Sequence, residues 1–287
     1  MTPVQAAEQA LREGNIDAAL KSLQDGVRAQ PAAPKLRVFL FQLLCVTGQW
    51  PRALNQLEVC GEMDAGTLAM VSTYREAIKC ESLREAVFAG KNTPMVFGKP
   101  QAWVALAIEA LRCDARGDSA AAARLRDDAF EQAPATAGSL DGTPFEWIAD
   151  ADSRLGPVLE AVINGHYCWV PFAALAKVTI EVPTDLRDLV WSAAQLEFSN
   201  GGSSVALVPT RYPGTAEQTD NALRLARRTD WLELGATHFR GLGQRVLTTS
   251  AADADLLQVR EIVLQPVPEQ ASTDPAPTDP APNHGQP

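Results

Sequence analysis

Histidine is scarce in this sequence. Only His166, His238 and His284 occur. Each of the first two stands beside an aromatic residue, and neither accompanies a serine or cysteine in a recognisable nucleophile motif. Cysteine is also sparse: Cys45, Cys60, Cys80, Cys113 and Cys168 are scattered and odd in number. No two have the close spacing of a zinc site, so no metal is expected. Four fall in apolar helical patterns, where buried free thiols are common, and a reducing cytoplasm suits them. Cys168, between Tyr167 and Trp169, reads as core and not as a nucleophile. No apolar run reaches the 18 or so residues that span a bilayer, and the N-terminus lacks the basic-then-apolar pattern of a secretory signal. Basic stripes are missing too: the net charge is −10 and the pI about 4.9, which disfavours nucleic acid as a partner. The expectation is a cytoplasmic protein with no cofactor, membrane or nucleic-acid partner.

What is present is a repeat. Gly14 and Gly48 stand 34 residues apart, and each is followed at the same offsets by Ala-Leu and Leu: Ala19, Leu20 and Leu23 in one copy, Ala53, Leu54 and Leu57 in the other. A third copy starts at Gly117 with Ala122, Ala129 and Pro134, where Pro134 matches Pro31 of the first copy. Arg126 replaces the seam leucine there, and Leu106, Ala110 and Cys113 fit the preceding helix. A period of 34 is that of the tetratricopeptide helix pair. Glycine ends the first helix in the left-handed region, alanine lets the partner helix pass close, and the leucines fill the seam. Pro31 stops a helix and Pro34 opens the next. Between the copies, Thr67 to Gly90 reads as either a degenerate hairpin or one long helix.

After Pro134 the pattern stops. Ala135 to Gly142 reads as a linker rich in small residues, and aromatic density rises. Tyr167–Val170, Lys177–Val182, Gln195–Ser199, Ser204–Val208, Gln244–Thr249 and Val259–Leu264 read as strands, with Asn200-Gly201-Gly202 as a hairpin turn. Ser153–Ile163, Asp185–Trp191 and Ala216–Arg228 read as helical. The fold class expected is α+β: tetratricopeptide-like hairpins over 1–134, then a small mixed domain with a mostly antiparallel sheet over 135–265. A proline-rich tail over 266–287 repeats Thr273-Asp274-Pro275-Ala276-Pro277 as Thr278-Asp279-Pro280-Ala281-Pro282. It reads as disordered, since it has too little apolar bulk to offset ordering entropy.

Several motifs invite a chemical reading. On an extended segment Asp150 and Asp152 point the same way and are able to share a metal, with Glu160 nearby, as in a metal-dependent hydrolase. The simpler reading has Asp152 capping a helix at Ser153 or accepting from Arg154. Thr184 reads as another N-cap, with Asp185 and Asp188 in the first turn. Arg187 then faces an acidic group of a partner or pairs internally with Asp150 or Asp152. Gly241-Leu242-Gly243-Gln244-Arg245 lacks the full glycine series of a phosphate loop and reads as a turn into a strand.

Six segments carry a family resemblance: Trp147 to Glu160, Tyr167 to Phe172, Pro183 to Trp191, Pro209 to Gly214, Thr229 to Trp231, and Gly241 to Arg245. In this order and spacing they resemble the ImpE family, also called TagJ, of type VI secretion accessory proteins. The resemblance covers nearly the whole chain, repeats included, but not the proline-rich tail. It implies an adaptor and not an enzyme. Members are associated with the contractile sheath, bind a helix near the N-terminus of the small sheath subunit, and are linked to sheath disassembly by a ClpV-type ATPase. The aromatic set Trp147, Tyr167, Trp169, Trp191, Tyr212 and Trp231, with Arg187, is either a core or the patch that takes the partner helix. The groove falls either on the concave face of the repeats, near Phe39, Leu40, Leu43 and Leu44, or where the repeats meet the aromatic domain. A general repeat scaffold for another peptide is the alternative to the sheath partner.

Overall fold

A computed structural model describes residues 1–98, 101–235 and 237–266. The proline-rich repeat at 273–282 lies outside them. The first half is helical. Helix α1 (Pro3–Arg12) opens on a capping box in which the Thr2 hydroxyl accepts from Gln5 N and the Gln5 side chain accepts from Thr2 N. Helix α2 (Ile16–Ala29) follows Gly14, which sits at φ +77°. Helices α3 (Pro34–Val46) and α4 (Trp50–Met63) repeat the design around Gly48 at φ +66°. Ala19, Leu23, Ala53 and Leu57 are fully buried in the seams, as the repeat requires. The segment after them forms one long helix, α5 (Leu68–Phe88). A short strand, β1 (Met95–Val96), precedes the last pair, α6 (Ala102–Ala115) and α7 (Ser119–Gln132). Arg126 stays buried at the seam position by pairing with Asp114.

The second half is mostly strand: β2 (Gly138–Leu140), β3 (Thr143–Phe145), β4 (Ile148–Asp150), β5 (Val158–Ile163), β6 (His166–Pro171), β7 (Leu175–Ile180), β8 (Trp191–Phe198) and β9 (Ser203–Pro209). After a short helix, α8 (Asn221–Arg224), come β10 (Thr229–Glu233), β11 (Phe239–Gly243), β12 (Val246–Thr249), β13 (Asp253–Asp255) and β14 (Glu261–Leu264). Nine strands join one sheet in the order β1-β6-β5-β9-β8-β7-β14-β2-β3. Every pairing is antiparallel except β1 with β6, which puts a strand from the helical half on the sheet edge.

Three helical readings are corrected. Within Ser153–Ile163, Gly156-Pro157 breaks the chain and the rest is β5, paired on both sides. All six β5 residues are buried, so the strand shows no polar alternation and reads ambiguously from sequence. Asp185–Trp191 is a four-residue 3-10 turn, Leu186–Leu189, and Trp191 already opens β8. Only Asn221–Arg224 of Ala216–Arg228 is α-helical. The stretch read as a linker also contributes β2.

Strand alternation divides the core. Tyr167 and Trp169 of β6, with Val158 and Val162 of β5, join the helices in one continuous cluster. Cys168 and Val170, with Leu159, Ala161 and Ile163, point to the opposite face and pack with Leu247, Val259 and Ile262. The first cluster runs from Ala7 in α1 to Leu225 beyond α8, so the helices and the sheet share it.

Candidate functional site

The residues singled out in the sequence separate by burial. Tyr167, Trp169, Trp191 and Tyr212 have at most 1 % of their surface exposed, whereas Trp147 and Trp231 keep 41 % and 40 %. The first four therefore lie in the chain's own interior and offer no face to a partner. Period two in β6 and β8 aims Tyr167, Trp169 and Trp191 at the helices, whereas Tyr212, beyond β9, is buried within the second half against Gly241, Asp150 and Val246. Trp191 packs at 5.8 Å from both Trp50 and Tyr74. Trp231 leans on Tyr212 at 5.7 Å and keeps its other face open. Arg187 binds Asp185 at 2.5 Å and stacks on Tyr74 at 4.8 Å. It meets neither Asp150 nor Asp152.

Those two aspartates belong to a buried ionic network that joins the halves. Glu160 accepts from Arg84 of α5 through Nε at 2.7 Å and Nη2 at 3.0 Å, from Tyr167 Oη at 2.5 Å, and from Arg245. Trp169 Nε1 donates to Tyr167 Oη at 2.8 Å. Arg245 also donates to Asp150 at 2.6 Å, and Asp150 accepts from Tyr212 Oη at 3.0 Å and Asp152 N at 2.8 Å. Asp152 is held by Arg154, through its backbone N, Nε and Nη2, and by Gly241 N at 3.0 Å. On the helical side, Trp191 Nε1 donates to Glu81 at 2.8 Å, and Arg84 donates to the Arg211 carbonyl at 2.8 Å. Arg211 in turn donates to the Val46 carbonyl at the end of α3.

Each charge in this network has a counter-charge or a carbonyl. Burial opposes ionisation of Glu160, but Arg84 and Arg245 more than offset it and hold the carboxyl well below the usual range. Burial pushes Asp150 up to about 7, with Arg245 opposing the rise. Arg154 and Arg245 take up the aspartate oxygens, so neither carboxylate is free for a shared metal. Among the described residues no group of three His, Cys, Asp or Glu side chains is placed to hold one. Asp152 caps no helix, because none follows it. Its lone pairs go to Arg154, as the second half of that reading has it.

The glycine motif has a steric reason. A Cβ on Gly241 would lie 2.2 Å from the Tyr212 ring, so only glycine lets β11 pass while its N–H reaches Asp152. Five of the six family segments thus supply the network, and Thr229-Asp230-Trp231 packs against it through Tyr212. What the sequence reading missed is Arg84 and Glu81, whose helix carries no family motif, and the pairing role of Arg245.

The open surface lies elsewhere. A groove of about 650 Å³ runs between α1, α3, the 186–189 turn and the segment after α8. Leu11, Val38, Phe39, Leu186, Leu189 and Leu225 give it an apolar lining, and Glu8, Arg12, Lys35, Asp64, Asp185 and Arg227 supply charge. Arg227 fixes one wall by donating to the Leu11 carbonyl at 2.6 Å. Phe39 lines the groove, while Leu40, Leu43 and Leu44 are buried beneath it. The groove is thus lined both by the repeats, through Leu11, Val38 and Phe39, and by the second half, through Leu186, Leu189 and Leu225.

Stacked hairpins tied by a buried ionic seam to a mostly antiparallel sheet define an α+β protein of the helical-repeat kind. Residues 142–263 match the family model described as ImpE protein. The chain is 51% identical over 260 residues to the type VI secretion system accessory component TagJ of Pseudomonas aeruginosa, covering 91% of each. The X-ray crystal structure of protein VPA1032 from Vibrio parahaemolyticus shares the fold, with a TM-score of 0.82 at 23% identity, over 90% of this chain and 97% of that one. The chain belongs to the ImpE/TagJ family.

Proposed function

We propose that this protein is a non-enzymatic adaptor of a type VI secretion machine, and that its groove takes the N-terminal helix of the small contractile-sheath subunit. The observation that carries the reading is the groove itself: apolar side chains of α1, α3 and the 186–189 turn line it together with charges of both signs, which suits an amphipathic helix laid in by its apolar face. The 51% identity to a type VI accessory component supports the machine. Two or three apolar anchors, each worth about 1.5–3 kcal/mol on burial, offset the ordering cost and give a Kd on the order of micromolar. The buried seam keeps the groove walls in register, so binding does not have to assemble them. The adaptor acts in the cytoplasm, where its five buried thiols stay reduced. Through the sheath helix it is linked to disassembly by a ClpV-type ATPase.

Affinity capture from cells tests the partner. Full-length tagged protein is expected to retrieve the small sheath subunit, and to lose it when that subunit's N-terminal helix is deleted. Retrieval of unrelated peptides with no sheath component supports a general scaffold instead.

A further inference from the structure

Trp147 stands at a second pocket, of about 370 Å³, remote in sequence from the groove residues. Its walls include Phe130 and Ala133 of the α7 end, Pro134, Ala135 and Pro157. Phe130 is fixed there: a Cβ on Gly156 would lie 2.2 Å from its ring. The lining combines an indole, a phenyl ring and proline faces, the surface that proline-rich segments dock on.

The end of the described chain points at this pocket. Strand β14 runs antiparallel to β2 as far as Leu264 opposite Gly138, and Gln265 N then donates to the Ala137 carbonyl at 2.8 Å. Along an antiparallel ladder each later residue passes an earlier one on the other strand. The strand direction therefore leads from Ala137 toward Ala135 and Pro134, which are pocket walls. The seven steps from Pro266 to Thr273 can span about 22 Å as an extended polyproline-type helix, enough to deliver the repeat from that point.

We propose that the pocket beside Trp147 is the docking site for the chain's own proline-rich repeat, Thr273–Pro282, with proline rings laid against the indole. Tethering supplies an effective concentration in the millimolar range, so a weak contact suffices. The inference does not depend on the sheath-helix reading, since it uses a different surface.

The five native cysteines are buried, so a nitroxide attached at Ala276→Cys in the full-length protein is selective. Tryptophan indole N–H signals are then read by NMR, and the Trp147 signal is assigned as the one missing from Trp147→Phe. The expected result is loss of the Trp147 signal with retention of that of Trp231, the other half-exposed indole. Replacing Pro275, Pro277, Pro280 and Pro282 with serine in the labelled chain is expected to restore it. Equal attenuation of Trp147 and Trp231, or none, overturns the proposal. So does loss of the Trp147 signal from 15N-labelled wild-type chains when nitroxide-bearing chains of natural isotope content are added, which makes a second copy the source.

Discussion

Arg84 in the helical half holds Glu160 in the sheet through two hydrogen bonds, 2.7 Å from Nε and 3.0 Å from Nη2, with both side chains buried. The pair is the bolt between the repeats and the second half.

Removing one side of that bolt leaves a buried charge uncompensated. Glu160→Gln is expected to cost about 3–5 kcal/mol, and Arg84→Met a similar amount. Urea unfolding of the full-length protein reads this directly. A loss under about 1 kcal/mol contradicts the network's structural role.

The pH dependence of the network has two opposite parts. Asp150 is raised to about 7 in the fold, so the folded state holds its proton more tightly than the unfolded chain does. Its contribution is present at acid pH and is lost as pH rises from about 4 through 7. Glu160 is lowered, so its contribution is present above about 4.5 and is lost as pH falls below that. The stability of the wild type relative to Asp150→Asn is therefore expected to fall between pH 4 and pH 7. A flat difference across that window, by thermal or urea melts, removes the Asp150 assignment.

Gly241→Ala places a methyl group in the Tyr212 ring and disturbs the Gly241–Asp152 contact. The expected loss is at least about 1–3 kcal/mol, as for an overpacked core. Gly235→Ala, where an added Cβ meets no neighbour, is the control and is expected to be close to neutral. Melting temperatures of the two variants check this.

Trp169→Ala and Trp191→Ala are expected to lower stability by about 3–5 kcal/mol each, because both rings are fully buried. Trp147→Ala truncates a half-exposed ring and is expected to cost clearly less than either of these changes. If Trp169→Ala melts like the wild type, the core assignment is wrong.

The repeats were legible because their rules are local: a left-handed glycine, a small alanine and seam leucines recur at fixed offsets, and Gly14, Ala19 and Leu23 do what the spacing requires. The hairpin Trp191–Pro209 was legible for the same reason, through Asn200-Gly201-Gly202. Strand β5 was not, since Val158 to Ile163 are buried on both faces and lose the alternation that marks a strand. The aromatic motif residues split between core and surface according to which side of the sheet, and which edge, each falls on, and that depends on partners as distant as Arg84 and Glu160. The groove was half visible. Phe39 belongs to the repeat face that the sequence marks, but Leu186, Leu189 and Leu225 join it only through tertiary packing.

The most direct test is a calorimetric titration of the full-length protein with a synthetic peptide of the small sheath subunit's N-terminal helix, set beside the same titration of Val38→Glu. Val38 lines the groove without being buried in the core, so this variant changes the groove and spares the fold. The expected result is a Kd on the order of micromolar for the wild type and at least about a tenfold loss for the variant, with its melting temperature unchanged. No binding at hundreds of micromolar, or equal binding by the two proteins, contradicts the groove as the site where the sheath helix is held.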